Sequence, residues 1–302
     1  MNDNKTILIK INSINAHYRE IKKICTLPSG NLISISGDQY IKIWNKNFEL
    51  QQKIYYECNE ILAYIDIKDE NNFVTCDWGK RIKIWRKNNS NIYKCIEIIE
   101  NAHKEAIWKL KYCENGNIIS CSWDRTIKIW EEINKNKHQC ICILAHKKLL
   151  LSILLLKENI LISSGLEGTL FWNFNNLECY FYLNDIYCLG RNALCLFDDD
   201  KIIIGGNEDN IMKIVSLKEK KIIKEIDNFF ICWTICIIKN KNVFLTGGKS
   251  QNINIFKYSN YELIQIIKNC HDDYINGMIE LKDKSIISYS IDKKINIWLL
   301  NQ

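Results

Sequence analysis

The sequence predicts an all-β fold, a single seven-bladed β-propeller with four-stranded antiparallel blades. Three observations in the 302 residues lead to this fold class. A short motif recurs at a nearly constant interval, apolar and polar residues alternate with period 2 inside each interval, and each chain end has what the other lacks. The alternation is typical of half-buried strands, and regular repetition of short strands is typical of propellers.

The repeat is marked by Ile-Lys-Ile-Trp at residues 41–44, 82–85 and 127–130, and by Ile-Asn-Ile-Trp at 295–298. Weaker copies fill the gap between the third and the last of these. Aligning the final position of every copy predicts seven blade ends: Trp44, Trp85, Trp130, Asn173, Val215, Phe256 and Trp298. Their spacing of 41 to 45 residues covers residues 1–302 as a single domain.

Each repeat contains enough strands for one blade. Residues 32–44 and 118–130 alternate with period 2 around a polar turn, which predicts hairpins, and further strands are expected at 94–99, 140–144 and 263–267. Four strands in about 43 residues match a propeller blade. The last repeat lacks a fourth strand, whereas residues 6–11 precede the first repeat, so the N-terminal strand is expected to complete the last blade and close the ring.

Composition narrows the function classes. The formal net charge is +6, from 41 Lys and Arg against 35 Asp and Glu, and the lysines are spread along the chain, so no specific nucleic acid is indicated. No apolar run reaches the length of a membrane-spanning helix, and the first residues lack a secretory pattern. We therefore expect a cytoplasmic or nucleo-cytoplasmic protein that is not secreted, with its 14 cysteines reduced.

A fixed offset identifies the kind of propeller. His17, His103, His146 and His271 are each followed 21 residues later by an acidic residue: Asp38, Asp124, Glu167 and Asp292. With the strand-end tryptophans, this pattern resembles the WD-repeat family over residues 5–300. The resemblance implies a buried tetrad in three blades: His17, Ser34, Asp38 and Trp44; His103, Ser120, Asp124 and Trp130; and His271, Ser288, Asp292 and Trp298.

The other repeats depart from the family pattern. Blade 2 has Gly79 at the Asp position and no His, and blade 4 has Asn173 where the tetrad needs Trp. Blades 5 and 6 keep only Asp209 and Ser250. A tetrad is therefore expected to be complete in blades 1, 3 and 7 only.

Catalytic and metal chemistry find little support in the sequence. Four of the five histidines occupy tetrad positions, which leaves His138 alone, and no nucleophile motif or phosphate-binding loop is present. Cys140 and Cys142 share one strand face, but there are no paired CxxC knuckles, so core packing is the preferred interpretation over zinc. We expect no enzyme activity, catalytic residues, metal or cofactor.

The resemblance directs the search for function to the upper face. In the family, the residue five after the His and the residue before the Asp line the upper mouth of the channel. Here these positions are most apolar in blades 2 to 4. The predicted partner-binding residues are Trp78, Trp108, Trp123, Leu151 and Leu166, with Lys22, Lys80 and Arg125 as a basic rim for an acidic or phosphorylated segment.

We therefore expect a non-catalytic scaffold or adaptor that docks a peptide or domain on this face, as one subunit of a multi-protein complex and a monomer on its own. Three alternatives stay open. The tryptophans could be buried under neighbouring loops. The propeller could be recruited to membranes by phosphoinositides, although the Phe-Arg-Arg-Gly motif is absent. An enzyme would need free carboxylates or an unassigned His at the channel.

Overall fold

The strands of this protein form seven antiparallel sheets. The computed structural model describes residues 7–57, 62–156, 159–190, 192–206 and 208–301. Within those residues it has 28 strands and a 3₁₀ turn at Lys239–Lys241. Thr6, the first residue of the predicted N-terminal strand, and both ends of the predicted 1–302 domain lie outside the described residues.

The strands have the following bounds: β1 (Ile7–Asn15), β2 (Ile21–Thr26), β3 (Leu32–Ser36), β4 (Tyr40–Trp44), β5 (Leu50–Tyr55), β6 (Leu62–Ile67), β7 (Asn72–Asp77), β8 (Ile82–Lys87), β9 (Tyr93–Ile99), β10 (Ile107–Tyr112), β11 (Ile118–Ser122), β12 (Thr126–Asn134), β13 (Lys137–Ala145), β14 (Leu150–Leu155), β15 (Ile160–Gly165), β16 (Gly168–Asn173), β17 (Glu178–Asn184), β18 (Leu194–Leu196), β19 (Lys201–Ile204), β20 (Ile211–Ser216), β21 (Lys221–Asp227), β22 (Cys232–Ile238), β23 (Val243–Gly248), β24 (Ser250–Lys257), β25 (Leu263–Ile267), β26 (Ile275–Glu280), β27 (Ile286–Ser290) and β28 (Lys294–Asn301).

One compact unit spans Lys22–Arg191 and contains blades 1 to 4. Each blade is a four-stranded meander: β2 to β5, β6 to β9, β10 to β13 and β14 to β17. The predicted strands at 94–99 and 140–144 are the last strands of blades 2 and 3, β9 and β13. The period-2 segments 32–44 and 118–130 are the hairpins β3–β4 and β11–β12.

The other unit comprises Met1–Ile21 with Asn192–Gln302 and contains blades 5 to 7. Blades 5 and 6 are the meanders β18 to β21 and β22 to β25, and blade 7 has the order β1, β28, β27, β26. The pairing of β1 with β28 runs from Ile7 opposite Asn301 to Asn15 opposite Lys294. The N-terminal strand therefore completes the last blade and closes the ring of a seven-bladed β-propeller, which confirms the predicted fold class.

Neighbouring blades pack through apolar clusters. Between blades 1 and 2, Ile33 and Ile41 lie in one cluster with Phe73 and Trp85, and the rings of Phe73 and Trp85 stack at 5.7 Å. All five residues of β3, β11 and β27 are buried. Because these strands are covered on both faces, polar residues within them must find partners inside the protein.

Polar core of the blades and a candidate docking surface

Blade 3 contains a buried chain of hydrogen bonds. His103 Nδ1 lies 2.9 Å from Asp124 Oδ2, and His103 Nε2 lies 2.7 Å from Ser120 Oγ. Trp130 Nε1 donates to the same Ser120 Oγ over 2.9 Å. Asp124 Oδ2 also accepts the backbone N–H of Lys104 at 2.9 Å. The chain satisfies a carboxylate that would otherwise be costly to bury, and it ties the loop before β10 to the β11–β12 turn.

Blade 7 has the same arrangement. His271 lies 2.8 Å from Asp292 and 2.7 Å from Ser288, and Trp298 Nε1 donates to Ser288 Oγ over 2.8 Å. In blade 1, Trp44 Nε1 donates to Ser34 Oγ over 2.8 Å. These contacts are internal to the blades, so they serve packing.

Blade 4 also has a Trp in its tetrad, which the sequence alignment missed. Trp172 Nε1 donates to Ser163 Oγ over 2.7 Å, while His146 contacts Ser163 at 2.7 Å and Glu167 at 2.8 Å. The expectation that Asn173 replaces the Trp is therefore wrong. The β15–β16 turn is one residue shorter than its equivalents, which moves every later position of the blade back by one.

Two glycines permit this shorter turn. Gly165 pairs with Gly168 across the hairpin, leaving Leu166 and Glu167 between them. Gly168 has φ of +144°, and a Cβ there would lie 2.2 Å from the carbonyl oxygen of Leu183. Only glycine fits such a position without displacing the neighbouring strand.

Burial and hydrogen bonding set the protonation of these groups. Burial raises the pKa of Asp124, but the hydrogen bonds from His103 and Thr126 outweigh it and hold that pKa well below its usual range. Burial lowers the pKa of His103, and it lowers the pKa of His146 in the same way. Both imidazoles are therefore neutral near pH 7, and neither is poised as a proton donor.

Blade 2 replaces the tetrad with a different buried network. Trp85 Nε1 donates to Thr75 Oγ1 over 2.9 Å. Asp77 is fully buried and accepts hydrogen bonds from the hydroxyl of Tyr56 at 3.1 Å and from Nε of Arg81 at 3.0 Å. An ion pair four residues apart and a tyrosine thus take the place of the missing histidine.

In blade 6 the equivalent network combines two asparagine amides with a threonine hydroxyl. Thr246 Oγ1 donates to Asn228 Oδ1 over 2.5 Å, and Asn254 Nδ2 donates to the carbonyl of Asn228 over 2.8 Å. Asn228 is fully buried. This network could not be predicted from the repeat pattern, because that pattern is defined by histidine and aspartate positions.

The polar residue two before each strand-end aromatic position has a shared role. In four blades its side chain donates to the backbone carbonyl 26 residues earlier. The pairs are Lys83 with Glu57, Lys128 with Ala102, Asn254 with Asn228, and Asn296 with Cys270, at 2.6 to 2.9 Å. The period-2 pattern already places this residue on the same face as the Trp, which is the signal that could have revealed it.

Three of the predicted partner-binding residues form one aromatic cluster. The rings of Trp108 and Trp123 stack at 4.9 Å, and Trp78 lies 6.2 Å from Trp108 and 6.3 Å from Trp123. All three side chains are partly exposed. We name these residues the tryptophan cluster.

Unlike the tetrad tryptophans, the indole N–H groups of Trp78 and Trp123 find no acceptor within the part of the chain that the structure describes. The blade tryptophans, by contrast, donate to a hydroxyl in blades 1, 2, 3, 4 and 7. Buried tryptophan N–H groups usually have a partner, so Trp78 and Trp123 differ in this respect from the tetrad tryptophans. Trp78 and Trp108 also pack against apolar core clusters, so the tryptophan cluster joins the core to the surface.

The predicted basic residues border this cluster. Lys22 Nζ lies 5.9 Å from the ring centre of Trp78. Lys80 and Arg125 both adopt φ of 69° in the β7–β8 and β11–β12 turns, two residues after Trp78 and Trp123. The two turns therefore present a cation at the same repeat position.

The two leucines predicted on this face differ in exposure. Leu166 lies in the β15–β16 turn and is partly exposed, with its N–H bonded to the carbonyl of Leu149 at 2.9 Å. Leu151 is buried, with 6% of its surface exposed, at a register shift of β14. Of the two, Leu166 is the one that a partner could contact.

His138, the histidine outside the tetrad positions, lies at the contact, or seam, between the last strands of blades 2 and 3. Its Nδ1 lies 2.6 Å from Glu97 Oε2, and its backbone N–H donates to Glu97 Oε1 over 2.7 Å. The side chain is 1% exposed. Such a pair fastens the last strands of two blades to each other.

Among the described residues, no group of three or more His, Cys, Asp or Glu side chains is placed to hold a metal ion. The same residues include no helix with the length and apolarity needed to cross a bilayer.

Comparison with known families supports the repeat assignment. A family described as WD domain, G-beta repeat matches residues 9–45 and 93–131, which span β1 to β4 and β9 to β12. No curated protein matches the chain.

Proposed function

This chain is a WD-repeat β-propeller, and from that premise we propose that it is a protein-interaction scaffold whose tryptophan cluster docks a peptide or domain of another protein. Propellers of this family serve in general as platforms for protein assembly. In this proposal the docking face covers blades 2 to 4, and the chain is a monomer that joins a larger complex inside the cell.

The tryptophan cluster is the observation that carries the proposal. Partly exposed aromatic side chains are the usual anchors of protein interfaces, because they bury a large area at a small cost in side-chain entropy. Trp108 stacks on Trp123 at 4.9 Å, so the cluster is held in place before a partner arrives. A preorganised surface loses less conformational entropy on binding than a mobile one.

The buried polar networks of blades 2 and 3 have a supporting role in this proposal. The Asp124 network fixes the β11–β12 turn, which carries Trp123. The Asp77 network fixes the β7–β8 turn, which begins with Trp78. Each turn is thus anchored by a buried carboxylate next to the tryptophan that it presents. The polar core of blades 2 and 3 would hold the docking surface rigid.

Affinity capture followed by mass spectrometry tests the proposal. Wild-type protein is compared with a Trp108→Glu variant and with a matched control, Ile143→Glu, which places the same charge on an exposed apolar residue of β13 in the same blade. We expect a defined set of partners to be lost with Trp108→Glu and kept with Ile143→Glu.

Folding of each variant is checked by circular dichroism and thermal melting before capture. If a folded Trp108→Glu variant retains every partner, the docking surface lies elsewhere and the proposal is wrong. A combined Trp78→Ala, Trp108→Ala, Trp123→Ala variant repeats the test without adding a charge.

A further inference from the structure

We propose that the segment docking on the tryptophan cluster is an acidic peptide, with an apolar side chain on the cluster and Asp or Glu side chains facing a belt of five cations. The inference rests on the proposed docking function and specifies its ligand. The belt consists of Lys80, Lys104, Arg125, Lys147 and Lys148.

Hydrogen bonds donated by backbone N–H groups, two to carbonyls and two to carboxylates, connect the belt across blades 2, 3 and 4. Each contact joins a residue in or beside the belt to the next turn or loop at the same end of the sheets. The pairs are Ala102 N–H to Lys80 carbonyl at 2.8 Å, Lys104 N–H to Asp124 carboxylate at 2.9 Å, His146 N–H to Arg125 carbonyl at 2.8 Å, and Lys147 N–H to Glu167 carboxylate at 2.9 Å. The five cations therefore lie along one continuous edge.

The carboxylates beside this edge are directed inward. Asp124 is 4% exposed and held by His103, Glu167 is 7% exposed and held by His146, and Asp77 is fully buried against Arg81. None of the five cations has an ion pair within the described residues. The tetrads of blades 3 and 4 and the Asp77–Arg81 ion pair of blade 2 thus withdraw acidic charge from the surface.

Few exposed acids lie beside the belt. Among the described residues, Glu100 is exposed two residues before Ala102, Glu105 is exposed next to Lys104, and Asp185 lies at the blade 4 end, where its N–H contacts the carbonyl of Glu167 at 3.3 Å. These three carboxylates against five cations leave the described edge positive. At an ionic strength near 0.1 M the Debye length is about 10 Å, so such an edge acts on a ligand at contact range.

The belt and the cluster are adjacent along the chain. Trp78 precedes Lys80 by two residues in the β7–β8 turn, and Trp123 precedes Arg125 by two residues in the β11–β12 turn. Lys104 and Trp108 flank the start of β10. A single extended peptide could therefore place one apolar residue on the rings and its neighbours against the cations.

The distribution of charge favours several carboxylates over one phosphate. Phosphoryl groups are held by convergent arginines that bind in a bidentate manner, whereas this belt has one arginine and four lysines spread over three blades. Scattered single charges suit a run of Asp and Glu side chains. Such charges select for a negatively charged ligand but select only weakly for its amino-acid sequence.

Selection from a phage-displayed library of random dodecapeptides on the immobilised full chain tests the ligand class. Enriched peptides are then measured by fluorescence anisotropy on wild type, on Trp108→Glu, on Lys80→Glu/Arg125→Glu, and on Lys46→Glu/Lys135→Glu. The last variant is the matched control, because Lys46 and Lys135 are exposed cations in the β4–β5 and β12–β13 turns. We expect acidic peptides with an apolar anchor, binding at least tenfold more weakly to the belt variant and unchanged on the control.

The outcomes separate the two proposals. Enriched peptides that need Trp108 but show no acidic bias, or that bind the belt variant as well as wild type, would overturn the acidic ligand and leave docking intact. Peptides that bind Trp108→Glu as tightly as wild type would overturn both. Sedimentation with vesicles of 70% phosphatidylcholine and 30% phosphatidylserine is run in parallel. Co-sedimentation that requires Lys80 and Arg125, without any peptide selected, would assign the belt to membranes and overturn the inference.

Discussion

Trp172 Nε1 donates a 2.7 Å hydrogen bond to Ser163 Oγ, nine residues earlier, whereas the equivalent bond in blade 3 joins Trp130 to Ser120 across ten residues. The bond shows that blade 4 keeps the family's polar core in spite of a turn that is one residue shorter. The residues of blade 4 can therefore be assigned to their roles by contact, without relying on the repeat interval.

Trp172→Phe is expected to destabilise the protein more than Asn173→Ala. Phenylalanine leaves the buried hydroxyl of Ser163 with one hydrogen bond fewer, at a cost of about 1–2 kcal/mol. Asn173 is exposed, so its truncation should cost less than about 0.5 kcal/mol. Urea denaturation of both variants measures the difference, and a larger loss for Asn173→Ala would restore the alignment expected from the sequence.

Gly168→Ala should be among the most damaging single changes in blade 4. The new Cβ would lie 2.2 Å from the Leu183 carbonyl oxygen, at φ of +144°, so β16 and β17 would have to separate. We expect a loss of about 3 kcal/mol or more. Gly116→Ala is the control, since it also has positive φ but its nearest atom is the mobile Lys68 Nζ at 3.4 Å. Equal melting temperatures for the two variants would contradict the steric argument.

Much of the fold can be predicted from the sequence because the repeat keeps recognisable residues at the strand ends and in the turns. A strand-end Trp together with the fixed His-to-acid offset places blades 1, 3 and 7. The last repeat lacks a fourth strand, and β1 supplies it by pairing with β28. The replacement of the tetrad by a different buried polar network in blades 2 and 6 could not be predicted from the sequence. Asp77 with Arg81, and Asn228 with Thr246, solve the same burial problem with different side chains.

The candidate site was predicted unevenly for a physical reason. Trp78, Trp108 and Trp123 were found from repeat position, and the structure places their rings in mutual contact. The burial of Leu151 was not predictable, since repeat position does not report which neighbours cover a side chain. Lys104 and Lys147 of the proposed belt could not be selected from the sequence. Repeat position does not show that the carboxylates of Asp124 and Glu167 are buried and accept the backbone N–H groups of these two lysines.

The free energy of unfolding should fall as the pH is lowered from 7 to 5. The pKa values of His103 and His146 are lowered by burial, so below about pH 6.5 the unfolded chain binds protons that the folded chain does not. Stability therefore decreases with decreasing pH, by at most about 1.4 kcal/mol per unit for each histidine. The hydrogen bonds that lower the pKa of Asp124 contribute stability that is lost only at more acidic pH.

Urea denaturation at half-unit intervals measures this slope. A His103→Asn/His146→Asn variant should be less stable at pH 7 but show a flatter profile between pH 7 and pH 5. The same slope in the variant and in wild type would mean that other groups carry the pH dependence.

Glu97 and His138 should show strong energetic coupling across the seam of blades 2 and 3. The Glu97 carboxylate accepts the backbone N–H of His138 over 2.7 Å, and its other oxygen lies 2.6 Å from His138 Nδ1. The imidazole is 1% exposed. Removing one partner of a buried pair leaves the other without its hydrogen bond. A double-mutant cycle with Glu97→Ala and His138→Ala is expected to give a coupling energy of about 1–3 kcal/mol.

The pair of Arg86 and Glu132 provides a matched control for that cycle. It also involves blades 2 and 3, but its atoms are 3.7 Å apart and its side chains are 34% and 32% exposed. Water screens such a pair, so the coupling energy should stay below about 1 kcal/mol. If the two cycles give the same value, the buried position of His138 contributes nothing beyond an ordinary surface ion pair. A larger value for Glu97 and His138 would identify this buried contact between β9 and β13 as one that fastens blade 3 to blade 2.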